Sequence, residues 1–335
     1  MPFIFDQTVG CPACPYGQCI EDRRNNPIRN RTTRFRLKQS TAMACTFSEF
    51  IPGTDVDPDP GRNFDEYLTR LRANALEAGR ILFGAECRIE GPALAKVEGD
   101  VYELLEAAAL WSAFAVWNEC MDGGKWNSVA FTLPPGSVST PSRRAAAVKL
   151  PRGYDATRLF KANVRNNILA HEAALRLRGM ELGLSAPDIV GLRIPDPITE
   201  PYRQFLQPLT DLGERSRERL ESAHRDLEGT LDGHSFLFAI AVKRTTRSDR
   251  LYQPLFEANV LKYLIGVVLN GAAFRFYVHL GSFEGADVEQ HYKAASLVSL
   301  LRGGEPVRAI DGLLEVAGPR QAAQAILNDL PLFPR

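Results

Sequence analysis

Three nearly continuous apolar runs carry the strand signal in this chain: DIVGLRI (188–194), SFLFAIAV (235–242) and FRFYVHL (274–280). Short unbroken runs of this kind suit strands covered on both faces. Helical spacing of apolar positions predicts helices over 64–83, from Lys96 to the Gly123-Gly124 pair, around 156–180 and over 254–269. The stretch from Lys96, KVEGDVYELLEAAALWSAFAVWNECM, is apolar on several sides and reads as a central, buried helix. The charged stretch LGERSRERLESAHRDLEGTL (212–231) reads as a solvent-exposed helix between the first two strands. Residues 1–20, 51–62 and 124–154 read as irregular or loop. Strand, helix and strand with further helices on both sides predict an α/β protein whose mixed sheet is flanked by helices.

Composition narrows the class. The chain has 335 residues, with 40 basic and 40 acidic side chains and no net charge, the profile of a globular protein rather than one that coats nucleic acid by bulk electrostatics. No run of eighteen apolar residues and no signal-peptide pattern occurs, so a cytoplasmic protein without a membrane partner is expected. Charge is uneven, however. Residues 23–38 hold seven basic side chains, six of them arginine, and no acidic one. The planar arginine fork suits phosphate or groove contact, although such a run is equally a solvated arm. Cys11, Cys14 and Cys19 form a Cys-rich cluster but lack the second pair that a structural zinc site needs, so free thiols are expected.

The chemistry concentrates around residues 187–257. Pro187-Asp188 opens one predicted strand, Lys243 closes another, and Glu257 falls in the first turn of a predicted helix. One or two carboxylates can hold a magnesium ion while leaving positions for water and phosphate, and a lysine ammonium offsets transition-state charge. Beside them, Arg247-Ser248-Asp249-Arg250 offers donors for guanine and an acceptor for cytosine. In the common nuclease pattern an acid lies two positions before the lysine. Here that position is Ala241, and Glu257 is placed to supply the missing carboxylate. Asp196, in IPDP, is a rival to Asp188, but its flanking prolines suit a turn. Each signal alone has an ordinary reading as a turn, an exposed lysine or a helix-terminal acid; their joint spacing carries the inference.

That spacing resembles the type II restriction endonucleases that cut around a CCGG core, the NgoMIV-like group, and especially its SgrAI-like members. NRTTRFRLKQ (30–39), FSEFIPG (47–53), AKVEGDVYE (95–103), RSDRLYQPLFEANV (247–260) and YKAASLVSLLRG (292–303) carry the resemblance in the same order. It is weak over 120–180 and departs at residues 11–19 and 281–291. The resemblance implies a PD-(D/E)XK fold in one endonuclease domain over 1–335. Residues 1–60 would be a DNA-contacting arm and 90–310 the catalytic core. It implies Asp188, Lys243, Glu257 and Glu103 as catalytic residues, with Asp188 and Glu257 on the metal. Arg247, Ser248, Asp249, Arg250, Lys96 and Arg31 would contact DNA.

The same resemblance implies double-strand cleavage of a palindrome, CR^CCGGYG, leaving a four-base 5′ overhang. The metal would be Mg2+, with Mn2+ as a substitute and Ca2+ supporting binding without cleavage. The partners expected are double-stranded DNA and a second copy of the chain, with tetramers or filaments on DNA. A cognate methyltransferase would act in the host without direct contact. A non-cleaving DNA-binding protein on the same fold is the alternative, and a small-phosphoester phosphatase a poorer one.

Overall fold

A computed structural model of the protein describes residues 20–22, 35–37, 63–69, 72–73, 85, 91–124, 139–183, 186–209, 214–245, 252–269, 274–284, 287–302 and 305–333. Its centre is a five-stranded sheet of β3 (Ala145–Lys149), β4 (Ile189–Arg193), β5 (Phe236–Lys243), β6 (Arg275–Leu280) and β7 (Gly312–Glu315), adjacent in that order. Strand β4 runs antiparallel to both β3 and β5, whereas β5, β6 and β7 are mutually parallel. A separate antiparallel pair joins β1 (Ile20–Asp22) to β2 (Phe35–Leu37). The three strands expected from apolar runs all form, within two residues of their expected ends.

Flanking helices bury the sheet. The longest, α1 (Gly91–Met121), has Leu104, Leu105, Ala108, Leu110, Phe114 and Trp117 fully buried. From Leu104 to Asn118 apolar residues around the whole circumference leave almost no solvent face, so this stretch fills the core. Its polar tips still find partners. Tyr102 Oη donates to Val316 O at 2.7 Å, Trp111 Nε1 to Gln207 O at 3.0 Å, and Trp117 Nε1 to Arg143 O at 2.9 Å. Each bond contributes about 1 kcal/mol and fixes the helix against a different segment. Asn118, also on α1 and fully buried, donates to Ala145 O at 2.8 Å and accepts from Ala145 N at 2.9 Å. Its amide thus satisfies backbone groups of β3.

The remaining main helices are α2 (Ala162–Arg176), α3 (Glu214–Asp226), α4 (Tyr252–Tyr263) and α5 (Pro319–Asp329). Helix α3 corrects the expectation of a solvent-exposed helix over 212–231. Its Ser216, Leu220, Ala223 and His224 are buried, and it packs on α1 and β3. Its Glu and Arg residues dominate composition, but the buried positions recur every three or four residues and form a stripe. The loop expected over 124–154 also needs correction, since it contains β3. An Ala-rich strand gives little β signal, because its small side chains fit a helix equally well. Neither β7 nor the short β1–β2 pair was expected.

Gly191 sits in β4 opposite Phe238 of β5. A β-carbon at this position would overlap the Phe238 ring, which lies between Phe114 and Tyr277 at centroid distances of 6.0 and 5.9 Å. The glycine is therefore a packing requirement. Among the described residues, no helix is long and apolar enough to cross a membrane.

Candidate active site

Strand polarity creates the site. Lys149 at the end of β3 pairs with Ile189 at the start of β4, and Lys243 at the end of β5 pairs with Leu280 at the end of β6. One edge of the sheet therefore gathers Lys149, Asp188 and Lys243. Asp188 and Lys243 border a cleft of about 1080 Å³ that is also lined by Lys96, Gly99 and Glu103 of α1, by Pro187 and Arg244, and by Gln253 of α4.

Asp188 is fixed from three directions. Its backbone N–H donates to Ile240 O at 3.1 Å, and its carbonyl accepts from Leu150 N at 2.9 Å. Its carboxylate Oδ2 accepts from both Val242 N and Lys243 Nζ, each at 2.7 Å. Burial alone would lower the Lys243 pKa, but Asp188, then Glu257 and Glu103, hold it above the ordinary lysine value. The side chain is accordingly an ammonium. Asp196, the rival acid, lies past the far end of β4, exposed, with Oδ1 3.7 Å from Arg144.

Glu103 projects from α1 into the cleft, and its Oε2 lies 3.6 Å from Lys149 Nζ. Burial, and next the charge of Asp188, push its carboxyl up to about 7, against the opposing pull of Lys149 and Lys243. Glu257 lies on α4 and is buried, with Oε1 accepting from Gln253 Nε2 at 2.8 Å. It acts on the cleft as a charge, raising both Lys243 and Tyr292, the latter to about 12 after the larger effect of burial.

Asp188, Glu257 and Glu103 thus each act electrostatically on Lys243, and Asp188 acts on Glu103 as well. Lys96 is exposed on the cleft-facing side of α1, one turn before Gly99. Arg31, Arg247, Ser248, Asp249 and Arg250 lie outside the described residues, as do Cys11, Cys14 and Cys19. Ala241 is fully buried. Sequence reasoning missed Lys149, because its strand was missed. It also passed over Gln253, although its i,i+4 spacing to Glu257 in one quoted block was a usable signal.

A divalent cation suits these groups. Asp188 and Glu103 are like charges close enough that one raises the pKa of the other, a repulsion that a bound cation would relieve. Among the described residues, no group of three or more His, Cys, Asp and Glu side chains stands ready to hold a metal. Two carboxylates suffice for magnesium, which retains waters and takes phosphate oxygens as further ligands.

Comparison with known proteins agrees with this chemistry. No curated protein matches the chain. It is similar to a solved structure of the Type IIF restriction endonuclease Bse634I with cognate DNA, with a TM-score of 0.70 at 18% identity over 93% of this chain and 97% of that one. A second structure, Bse634I restriction endonuclease, gives a TM-score of 0.69 at 18% identity over 91% and 94%. The fold is thus the PD-(D/E)XK-like, restriction-endonuclease fold. The family model for Cfr10I/Bse634I restriction endonucleases matches residues 62–325, which span the whole sheet and every cleft residue named above. With the cleft and its sheet edge inside that match, the chain belongs to the Cfr10I/Bse634I restriction endonuclease family, enzymes that bind and cleave DNA at specific sites.

Proposed function

We propose that the protein is a Mg2+-dependent type II restriction endonuclease that cuts both strands of a palindrome with a CCGG core. The flanking preference follows the SgrAI-like resemblance, giving CR^CCGGYG and a four-base 5′ overhang. The observation that carries the reading is the Asp188–Lys243 pair at the sheet edge, with Glu103 beside it and Glu257 behind.

Asp188 and Glu257 are the carboxylates that would hold the metal, and Glu103 of the facing helix is a further acid beside them. When bound, it supplies charge neutralisation at the phosphoryl oxygens and a water poised to ionise. Lys243 stays protonated between its carboxylates, so its Nζ offers charge and a hydrogen bond to the phosphate rather than a base. Asp188, locked by Val242 N–H, orients that ammonium. Lys96 faces the same cleft and is suited to a phosphate contact. Arg247, Asp249 and Arg250 read the core, with Ser248 in the same segment, and Arg31 of the 1–60 arm reads flanking base pairs. A palindrome read symmetrically needs two copies of the chain, and we propose a homodimer that assembles further, as tetramers or filaments, on DNA.

A plasmid digest tests the reading. Cleavage with Mg2+, none with Ca2+, and sequenced ends bearing a CCGG core are expected. Ends without that core overturn the specificity, and intact plasmid with Mg2+ or Mn2+ overturns the metal-dependent cleavage.

A further inference from the structure

Glu98 is a buried carboxylate with 1% exposure, on the helix that bears Glu103, yet it does not border the cleft. Both of its oxygens are occupied by guanidinium groups. Oε1 accepts from Arg72 Nε at 3.0 Å and Arg72 Nη2 at 2.8 Å, and Oε2 accepts from Arg244 Nη1. A carboxylate this deep is stable only when paired, so the two arginines and Glu98 form an obligatory unit.

Arg244 is the residue after Lys243, at the point where the chain leaves β5. A second contact holds the same point. Gly281 N donates to Lys243 O at 3.0 Å, and a β-carbon on Gly281 would lie 2.6 Å from Arg244 O. The Lys243-Arg244 segment is therefore tied to α1 through Glu98 and to the end of β6 through Gly281. Only Thr245 and Thr246 separate it from Arg247, the first residue of the proposed base-reading segment.

We propose that Glu98 is a positioning residue for DNA cleavage: through Arg244 it fixes Lys243 and the point from which the chain runs on toward the proposed base-reading segment. The proposal rests on Lys243 acting in catalysis, as argued above. It predicts that cutting rate and site discrimination fall together when the Glu98–Arg244 pair is broken.

The test uses Glu98→Gln, which keeps the side-chain shape and removes its charge, with Arg244→Met, the double variant, and Arg72→Met. Single-turnover cleavage at saturating DNA is measured on the site mapped for the wild type and on a site with one base pair changed. Glu98→Gln is expected to slow cleavage of the mapped site at least tenfold and to narrow the rate ratio between the two sites, which a purely stabilising residue would leave unchanged. Arg244→Met should match it, and the double variant should be no slower than either, as for partners in one interaction. Arg72→Met should cost less than threefold. A wild-type rate and ratio in Glu98→Gln, or losses that multiply in the double variant, overturn the proposal. If Glu98→Gln does not fold, a wild-type rate and ratio in Arg244→Met overturn it equally. Failure of the wild type itself to cut would instead count against the metal-dependent nuclease reading.

Discussion

Lys243 Nζ and the Val242 backbone N–H converge on one oxygen of Asp188, Oδ2, each at 2.7 Å. Strand β5 thus contributes both the ammonium and the backbone donor that aims the acid toward it. Lys243→Ala should lower the cleavage rate by about 100-fold or more, while specific binding in Ca2+ stays nearly intact. Single-turnover cleavage beside a binding titration checks this, and cutting at the wild-type rate would remove Lys243 from the chemistry.

The carboxyl of Glu103, pushed up to about 7 from an ordinary 4.5, links stability to pH. An acid raised on folding contributes stability that is complete below its unfolded value and is lost as pH rises through the folded one. Relative to Glu103→Gln, the metal-free wild type should therefore lose melting temperature between about pH 4.5 and pH 7 and level off above. Saturating Ca2+ should shrink that loss, because a cation favours the ionised form. Melting curves of both proteins, with and without Ca2+, decide the matter; parallel pH profiles would refute it.

Gly191 and Phe238 make a packing prediction. Gly191→Ala forces a methyl into the Phe238 ring and should destabilise the protein by about 1–3 kcal/mol through overpacking. Urea denaturation measures this. Adding Phe238→Leu should recover part of the loss, and purely additive losses would show that the ring is not the obstacle.

Arg250→Ala should weaken binding to the cognate site by about 1–3 kcal/mol while leaving affinity for unrelated DNA nearly unchanged. Equal loss on both duplexes would make Arg250 a phosphate contact only.

The strands that bear the site were legible because DIVGLRI, which begins at Asp188, and SFLFAIAV, which stops just before Lys243, are nearly continuous apolar runs. The burial of α1 was legible for the same reason: apolar residues occupy every side of it. What escaped has a physical cause. Strand β3 is written in alanine, which does not distinguish strand from helix, so Lys149 went with it. Strand β7, GLLE, is too short for periodicity to show. In the sequence, Glu98 is one more charge on a long helix. Only the fold discloses that Arg244, far along the chain, comes to meet it.

The helix carrying Glu98 and Glu103 is also the piece that fills the core, with Leu104, Leu105 and Phe114 all sealed from solvent. Its middle stretch cannot open without emptying the centre of the molecule, so the amide hydrogens there should exchange only through global unfolding. One wall of the cleft is then as rigid as the protein itself. Any adjustment of the cleft to bound DNA is then expected from the segments facing that wall, while the helix serves as a fixed ruler.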